Sequence, residues 1–215
     1  MTGNGRFITV EGVDGAGKTT ALAHLAACLH EQGVDVVRTR EPGGTELAES
    51  IRGLLTGTDG EAPTEDTETL LMFAARAQHL ERLIRPALAA GQWVLCDRFT
   101  DATYAYQGGG RGMPVGRIRS LEAWVQGDFR PHRTLLFEVP VAEGWRRRAR
   151  VRGEPDRFEE EGLAFLEQVQ AGYRAQAEAE PDRIKRINAG RDWPEVARDL
   201  DAWCHEEVVA WRTGG

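Results

Sequence analysis

The residues with the clearest chemistry stand near the N-terminus, in the run Gly12-Val13-Asp14-Gly15-Ala16-Gly17-Lys18-Thr19. Two glycines five apart, followed by Lys and Thr, fit a phosphate-binding loop. Glycine lets the backbone curl until successive N–H groups converge on phosphate oxygens. Lys18 can then reach the terminal phosphates of a nucleoside triphosphate, and the Thr19 hydroxyl can ligate magnesium. The competing reading is a Gly-rich turn without ligand, and the flanks argue against it. Phe7-Ile8-Thr9-Val10 is β-branched and aromatic, as a buried strand should be. Thr20 to Glu31 is rich in Ala and Leu and reads as a helix. Strand, loop, helix is the order that aims a helix N-terminus at an anion.

Further clusters could complete such a site. Arg38-Thr39-Arg40-Glu41-Pro42-Gly43-Gly44-Thr45 is a polar turn that could equally be a plain connection. Cys96-Asp97-Arg98-Phe99 leaves an apolar run. Asp97 could hold magnesium directly or through water, and Arg98 has the planar fork that grips phosphate in bidentate fashion; a surface Asp–Arg pair is the plainer alternative. Gly108-Gly109-Gly110-Arg111-Gly112 is a weak signal for RNA and fits a mobile active-site loop better. Phe73 and Arg76 are three apart and share a helical face. A ring beside a guanidinium can stack on a base and bond its carbonyl edge, although Phe73 also reads as core. His79 reads as structural or surface. Between Arg146 and Arg157 the chain is dense in arginine. Such a run usually means a solvated face. Lys18 is the loop's one cation, however, and phosphoryl transfer needs more positive charge. An arginine lid bounded by Gly153 and Pro155 would supply it.

These residues need a frame. Strands are expected near Phe7–Val10, Val34–Thr39, Trp93–Cys96, Thr134–Val139 and Arg183–Ile187, and helices over 19–32, 45–56, 66–90, 115–127, 159–178 and 193–211. Alternation of the two predicts an α/β fold with a parallel sheet covered on both faces, and ligands in such folds bind at the C-terminal ends of strands. The 215 residues are 41% hydrophobic, enough for a sizeable core. A formal net charge of −7 argues against non-specific binding to nucleic acid or anionic membrane. Cys28, Cys96 and Cys204 have neither zinc nor redox spacing, and Cys96 reads as a small buried hydrophobe. No signal-peptide apolar region and no bilayer-length apolar run occur, so a soluble, cytoplasmic protein is expected.

With these motifs assembled, the chain closely resembles the bacterial thymidylate (dTMP) kinases, from about residue 6 to about 205. The resemblance rests on residues 12–19, Thr39-Arg40-Glu41-Pro42-Gly43-Gly44-Thr45, Leu71-Met72-Phe73-Ala74-Ala75-Arg76, Asp97-Arg98-Phe99 and Ala105-Tyr106-Gln107-Gly108-Gly109-Gly110-Arg111-Gly112. It implies the P-loop nucleoside monophosphate kinase fold: a five-stranded parallel sheet flanked by helices, one domain over 1–215, with an Arg-rich lid at about 146–158. It also implies transfer of the γ-phosphoryl of ATP to dTMP, giving dTDP and ADP for dTTP synthesis, with Mg2+ and a homodimer. By resemblance, Gly12, Val13, Asp14, Gly15, Ala16, Gly17, Lys18, Thr19 and Thr20 form the ATP phosphate site. Asp14 also approaches the sugar 3′-hydroxyl of the acceptor. Phe73 stacks on thymine, Arg76 donates to its edge, and Thr103 and Gln107 add base contacts. Tyr106 crowds the position of a ribose 2′-hydroxyl. Arg98 clamps the acceptor phosphate, with Arg52 nearby. Glu41 and Pro42 border the acceptor site, with a cis bond expected between them. Thr19 and Asp97 attend the magnesium. Arg152 best matches the catalytic lid residue, with Arg148 and Arg150 as alternatives. Phe99 stands where Tyr or His is frequent, and Trp145 with Arg146-Arg147-Arg148 is given no separate role. A broader nucleotide kinase and a catalytically silent nucleotide-binding regulator are the rival readings. The Phe73/Arg76/Gln107 set speaks against the first. The intact set of Lys18, Thr19, Asp97, Arg98 and a lid arginine speaks against the second.

Overall fold

The three central apolar runs become strands buried on both faces, whereas the edge strands stay half-exposed. The computed structural model describes residues 5–58, 60–150, 157–158 and 161–214. Among these, β1 (Phe7–Glu11), β2 (Val36–Arg40), β3 (Trp93–Asp97), β4 (Arg133–Glu138) and β5 (Ile184–Asn188) form one parallel sheet in the order β2-β3-β1-β4-β5. Side chains alternate between two cores, as the pleat requires. Ile8, Val10 and Leu95 join a cluster with Leu25, Leu29 and Leu200, whereas Phe7, Val94 and Cys96 join one with Leu80, Ile84 and Phe99. Double-sided burial explains why β1, β3 and β4 read as near-continuous apolar runs, while the edge strands β2 and β5 carry Arg, Thr and Lys among their apolar residues.

The α-helices among the described residues are α1 (Lys18–Glu31), α2 (Glu46–Thr56), α3 (Glu65–His79), α4 (Arg85–Ala89), α5 (Thr100–Thr103), α6 (Val115–Gln126), α7 (Val141–Ala149), α8 (Leu163–Ala179) and α9 (Trp193–Thr213). Thr45 and Thr64 begin α2 and α3, their hydroxyls accepting from the Ala48 and Thr67 N–H groups, as N-caps do. The helix expected over 66–90 is divided by a π-helical turn, Leu80–Ile84, in which the Arg85 N–H bonds the Leu80 carbonyl. Pro86 follows directly and lacks an N–H, and the wide turn accommodates the break in the ladder.

Two further expectations change. The Gly-rich stretch 108–112, expected as a mobile active-site loop, begins inside a second π-helical turn, Tyr104–Gly110, laid against α8. A Cβ at Gly109 would lie 2.7 Å from the Gln168 carbonyl, and one at Gly110 2.5 Å from the Phe165 ring. These glycines therefore serve close packing as well as any ligand. The arginine-dense run also begins as helix, α7. Arg152 lies outside the described residues, and so does most of the expected lid beyond Arg150.

The sheet order places β1 between β3 and β4. The chain leaves β1 toward one edge and later returns toward the other. The loop after β1 thus sits at the switch point, where open α/β sheets leave a crevice for ligands.

Candidate active site

Packing forces the shape of the loop at residues 12–17. Gly12 has φ +135°, and a Cβ there would lie 2.4 Å from the Phe137 carbonyl; at Gly15, φ +77°, it would lie 2.0 Å from the Gly144 carbonyl. β4 and α7 therefore press so closely on the loop that only glycine fits. Gly17 then opens α1, whose first turn has neither a side-chain cap nor an acidic residue, which leaves its N–H donors for an anion. Lys18 is buried, and its Nζ donates to the Gly12 and Val13 carbonyls at 3.0 and 3.1 Å.

Register brings β3 alongside: Val10 pairs with Asp97. The next residue, Arg98, has φ +68° and is the one non-glycine with positive φ among the described residues. Backbone held there costs about 1–3 kcal/mol, and its side-chain contacts offset that cost. Its Nη2 donates to Asp14 Oδ1 at 2.7 Å and its Nη1 to the Tyr173 hydroxyl at 3.0 Å; its guanidinium lies 4.8 Å from the centre of the Tyr106 ring. Burial alone would raise the Asp14 carboxyl, but Arg98 and Lys18 outweigh it and hold it well below the usual carboxylate range. Asp97 Oδ1 is buried without a hydrogen-bond partner, an arrangement suited to a hard cation.

Behind this pair lies a group the sequence reading passed over. Glu11 is fully buried; its Oε1 accepts from the Phe99 N–H at 2.6 Å and its Oε2 from the Tyr173 hydroxyl at 2.9 Å. Burial, and secondarily Asp101, push its carboxyl up to about 8. A native pKa above the unfolded one means that the folded chain binds more protons between the two values. The Glu11 contribution to stability is thus fully present below about pH 4.5 and lost as pH rises through about 8. Glu11→Gln should flatten that decline, which is at most about 1.4 kcal/mol per pH unit. Urea midpoints of both proteins at several pH values across this window measure it. Equal slopes would reject the assignment.

The loop, β2, β3 and α7 enclose a cavity of about 480 Å3. Its charged lining comprises Lys18, Arg40, Arg52, Arg98, Arg147 and Arg148 against Asp14, Glu41 and Asp97, and Thr19 and Thr20 face it too. That balance suits a polyanion. Of the lid candidates, Arg148 lines the cavity, Arg150 is exposed and does not, and Arg152 is not described. Arg147, given no separate role from sequence, lines this cavity and a smaller one of about 330 Å3 beyond the loop, beside Thr20, Arg191 and Trp193. Its Nη1 also donates to the Ala189 carbonyl.

On the β2 side, Arg76 is 2% exposed, its guanidinium 4.9 Å from the centres of both the Phe73 and Phe99 rings. Its Nε donates to Glu41 Oε2 at 2.8 Å and its Nη2 to the Thr103 hydroxyl at 3.0 Å; Nη1 is buried with no partner. Glu41 Oε1 meets His79 Nδ1 at 2.9 Å, and His79 Nε2 meets the Thr39 hydroxyl at 2.7 Å. His79 is thus structural. Glu41 orients Arg76, and the Glu41–Pro42 bond is cis as expected. Arg52 Nη1 donates to the Pro42 carbonyl at 3.0 Å. Phe73 packs with Tyr104, Met113 and Ile118 and is itself core. Tyr106 and Gln107 occupy the π turn, both buried. The structure thereby gathers Glu41, Phe73, Arg76 and Thr103 into one group, and Asp14, Lys18, Asp97 and Arg98 into another. Glu11 and Tyr173, which brace Arg98, were legible only as a charge beside an apolar strand and a tyrosine on a helix.

A parallel sheet with a phosphate loop at its switch point, beside a cationic cavity, defines a phosphotransferase of the P-loop nucleoside monophosphate kinase fold. A family profile described as thymidylate kinase matches residues 10–200. The chain belongs to the thymidylate kinase family. It is 59% identical over 199 residues to a thymidylate kinase of Pseudomonas entomophila, covering 93% of this chain and 94% of that one. It is 53% identical over 211 residues to that of Alkalilimnicola ehrlichii, covering 98% and 97%. The crystal structure of thymidylate kinase from Ehrlichia chaffeensis superposes with a TM-score of 0.75 at 35% identity, covering 94% of this chain and 99% of that one.

Proposed function

We propose that the chain transfers the γ-phosphoryl group of ATP to dTMP, releasing dTDP and ADP. The observation that carries the choice of acceptor is Arg76: a buried guanidinium with two nitrogens bound and Nη1 left over. A pyrimidine carbonyl would satisfy it, since a buried donor without an acceptor is costly. Thr103 and Gln107 complete the base edge, and Phe73, expected from the resemblance to stack on the base, instead backs the Arg76 guanidinium from the core. Tyr106 fills the 2′ position of the sugar, and Asp14 faces its 3′-hydroxyl. Arg98 and Arg52 hold the acceptor phosphate, beside Glu41 and Pro42.

On the donor side, residues 12–20 cradle the ATP phosphates, with Lys18 reaching across them. The smaller cavity beyond the loop takes the donor base. Thr19 and Asp97 would hold magnesium, for which the unpartnered Asp97 oxygen is suited; the ion neutralises charge on the phosphates when bound. The protein's own task is to align the two phosphates and surround them with fixed positive charge. Arg148, Arg150 and Arg152 deliver part of that charge from a lid over about 146–158, within a single domain spanning 1–215.

The partner expected in solution is a second copy of the chain. α2 packs on α3 and α3 on α6, and these helices leave Leu47, Leu54, Leu70 and Trp124 exposed, Trp124 at 83%. A cytoplasmic location fits dTTP synthesis, and no helix among the described residues is long and apolar enough to cross a membrane.

The test is turnover of purified protein with ATP, magnesium and a panel of dTMP, dUMP, dCMP and UMP, read as nucleoside diphosphate and ADP formed. dTMP should be best. dUMP, lacking one methyl, should be poor but detectable, because a hydrophobic pocket discriminates a methyl by roughly 1–3 kcal/mol. dCMP and UMP should be used least. Absence of dTDP alongside ready phosphorylation of another monophosphate would defeat the assignment.

A further inference from the structure

One buried carboxylate has no part in the site so far, yet it gathers more donors than any group in it. Glu68, on α3, has a side chain 1% exposed. Its Oε1 accepts from Gln107 Nε2 at 2.8 Å. Its Oε2 accepts from Arg157 Nη2 at 2.5 Å and from Arg111 Nη2 at 3.3 Å. These donors are fixed from behind. Arg157 also donates through Nε to the Leu55 carbonyl at 3.1 Å, and Arg111 Nη1 meets Glu161 at 2.5 Å. The carboxylate is therefore held in place by α2, α3 and the segment before α8.

A carboxylate paired with two guanidiniums offers acceptors only, whereas a glutamine amide offers one acceptor and two donors. Gln107 must therefore turn its NH2 toward Glu68, and its Oε1 faces away. No described residue donates to that oxygen, although Gln107 is 1% exposed. An acceptor with a fixed direction matches a base whose ring nitrogen bears a hydrogen, as in thymine and uracil. It opposes one whose ring nitrogen is itself an acceptor, as in cytosine. We propose that Glu68 is a positioning residue for acceptor-base selection: it locks the sense of the Gln107 amide so that only the carbonyl is presented to the base. This rests on dTMP as acceptor and on Gln107 at its edge. It adds a second determinant, independent of Arg76, that reads the ring nitrogen and not the carbonyl.

The experiment compares kcat and KM for dTMP and dCMP in the wild type, Glu68→Gln, Gln107→Leu and the double variant. An amide at position 68 can accept or donate, so Gln107 is free to turn over. The preference for dTMP over dCMP should fall by about tenfold in Glu68→Gln, the worth of one hydrogen bond. In the Gln107→Leu background, Glu68→Gln should leave the ratio unchanged, because the group it orients is gone. A merely structural Glu68 would lower kcat/KM for both nucleotides together and leave the ratio alone, which overturns the proposal. So does a further fall of the ratio in the double variant. If Glu68→Gln fails to fold, Glu68→Asp keeps the charge but draws the carboxylate back by one methylene, and an unchanged ratio there likewise overturns it. The underlying reading is tested separately by the wild type: without a preference for dTMP over dCMP, the dTMP assignment fails before Glu68 is touched.

Discussion

Replacing Arg98 with alanine should lower kcat/KM for dTMP by about 10³-fold or more, the magnitude associated with an arginine that stabilises a transferring phosphoryl group. Arg98 holds Asp14, meets the Tyr173 hydroxyl and lies over the Tyr106 ring, so one fork orders three neighbours. Lysine should recover little, because it replaces a planar fork with a point charge. Thermal denaturation of each variant, run beside the kinetics, separates lost chemistry from lost structure. A folded Arg98→Lys enzyme close to wild-type turnover would show that charge alone suffices there.

Arg76→Ala should be severe in a different way. It leaves Glu41 buried beside His79 without its guanidinium, and breaking a buried pair costs about 3–5 kcal/mol. The same change removes the donor assigned to the base carbonyl, so the preference for dTMP over dCMP should shrink. The two effects can be taken apart. Adding Glu41→Gln should restore part of the lost stability, because the stranded charge is gone, but none of the selectivity. Urea denaturation and a dTMP/dCMP comparison on the single and double variants check this. Full recovery of selectivity in the double variant would move base reading away from Arg76.

The strands and the phosphate loop were legible because both follow local rules. A short apolar block bounded by Gly and polar residues, rich in β-branched side chains and too short for a helix, reads as a covered strand, and each strand lies within two residues of its expected range. The loop is written in contiguous residues. What sequence concealed depends on partners far along the chain. Gly109 and Gly110 read as a flexible loop because α8, which crowds them, begins fifty residues later. Glu41 read as a ligand contact, and only the fold shows that it orients Arg76. Glu11, Glu68 and Tyr173 had no neighbourhood in sequence. A carboxylate is recognisable as a hub only when the guanidiniums or hydroxyls from other elements are in place. His79 became structural for the same reason, through Thr39 and Glu41.

The central position of β1 has a consequence for how the protein is made. Val10 pairs with Asp97 on one side and with Leu135 on the other. Neither partner exists when β1 leaves the ribosome. At about 5–20 residues per second, the strand waits on the order of ten seconds with both hydrogen-bonding edges and its apolar side chains unsatisfied. Closure of such distant pairs is slow, and an unpaired apolar strand is a template for association with other chains. The strand that carries the nucleotide-binding loop is thus also the segment most in need of shielding during synthesis. Nascent-chain yield should be more sensitive to added apolar character in residues 7–11 than in β5, whose only partner strand among the described residues, β4, precedes it in the chain and is already made when β5 emerges.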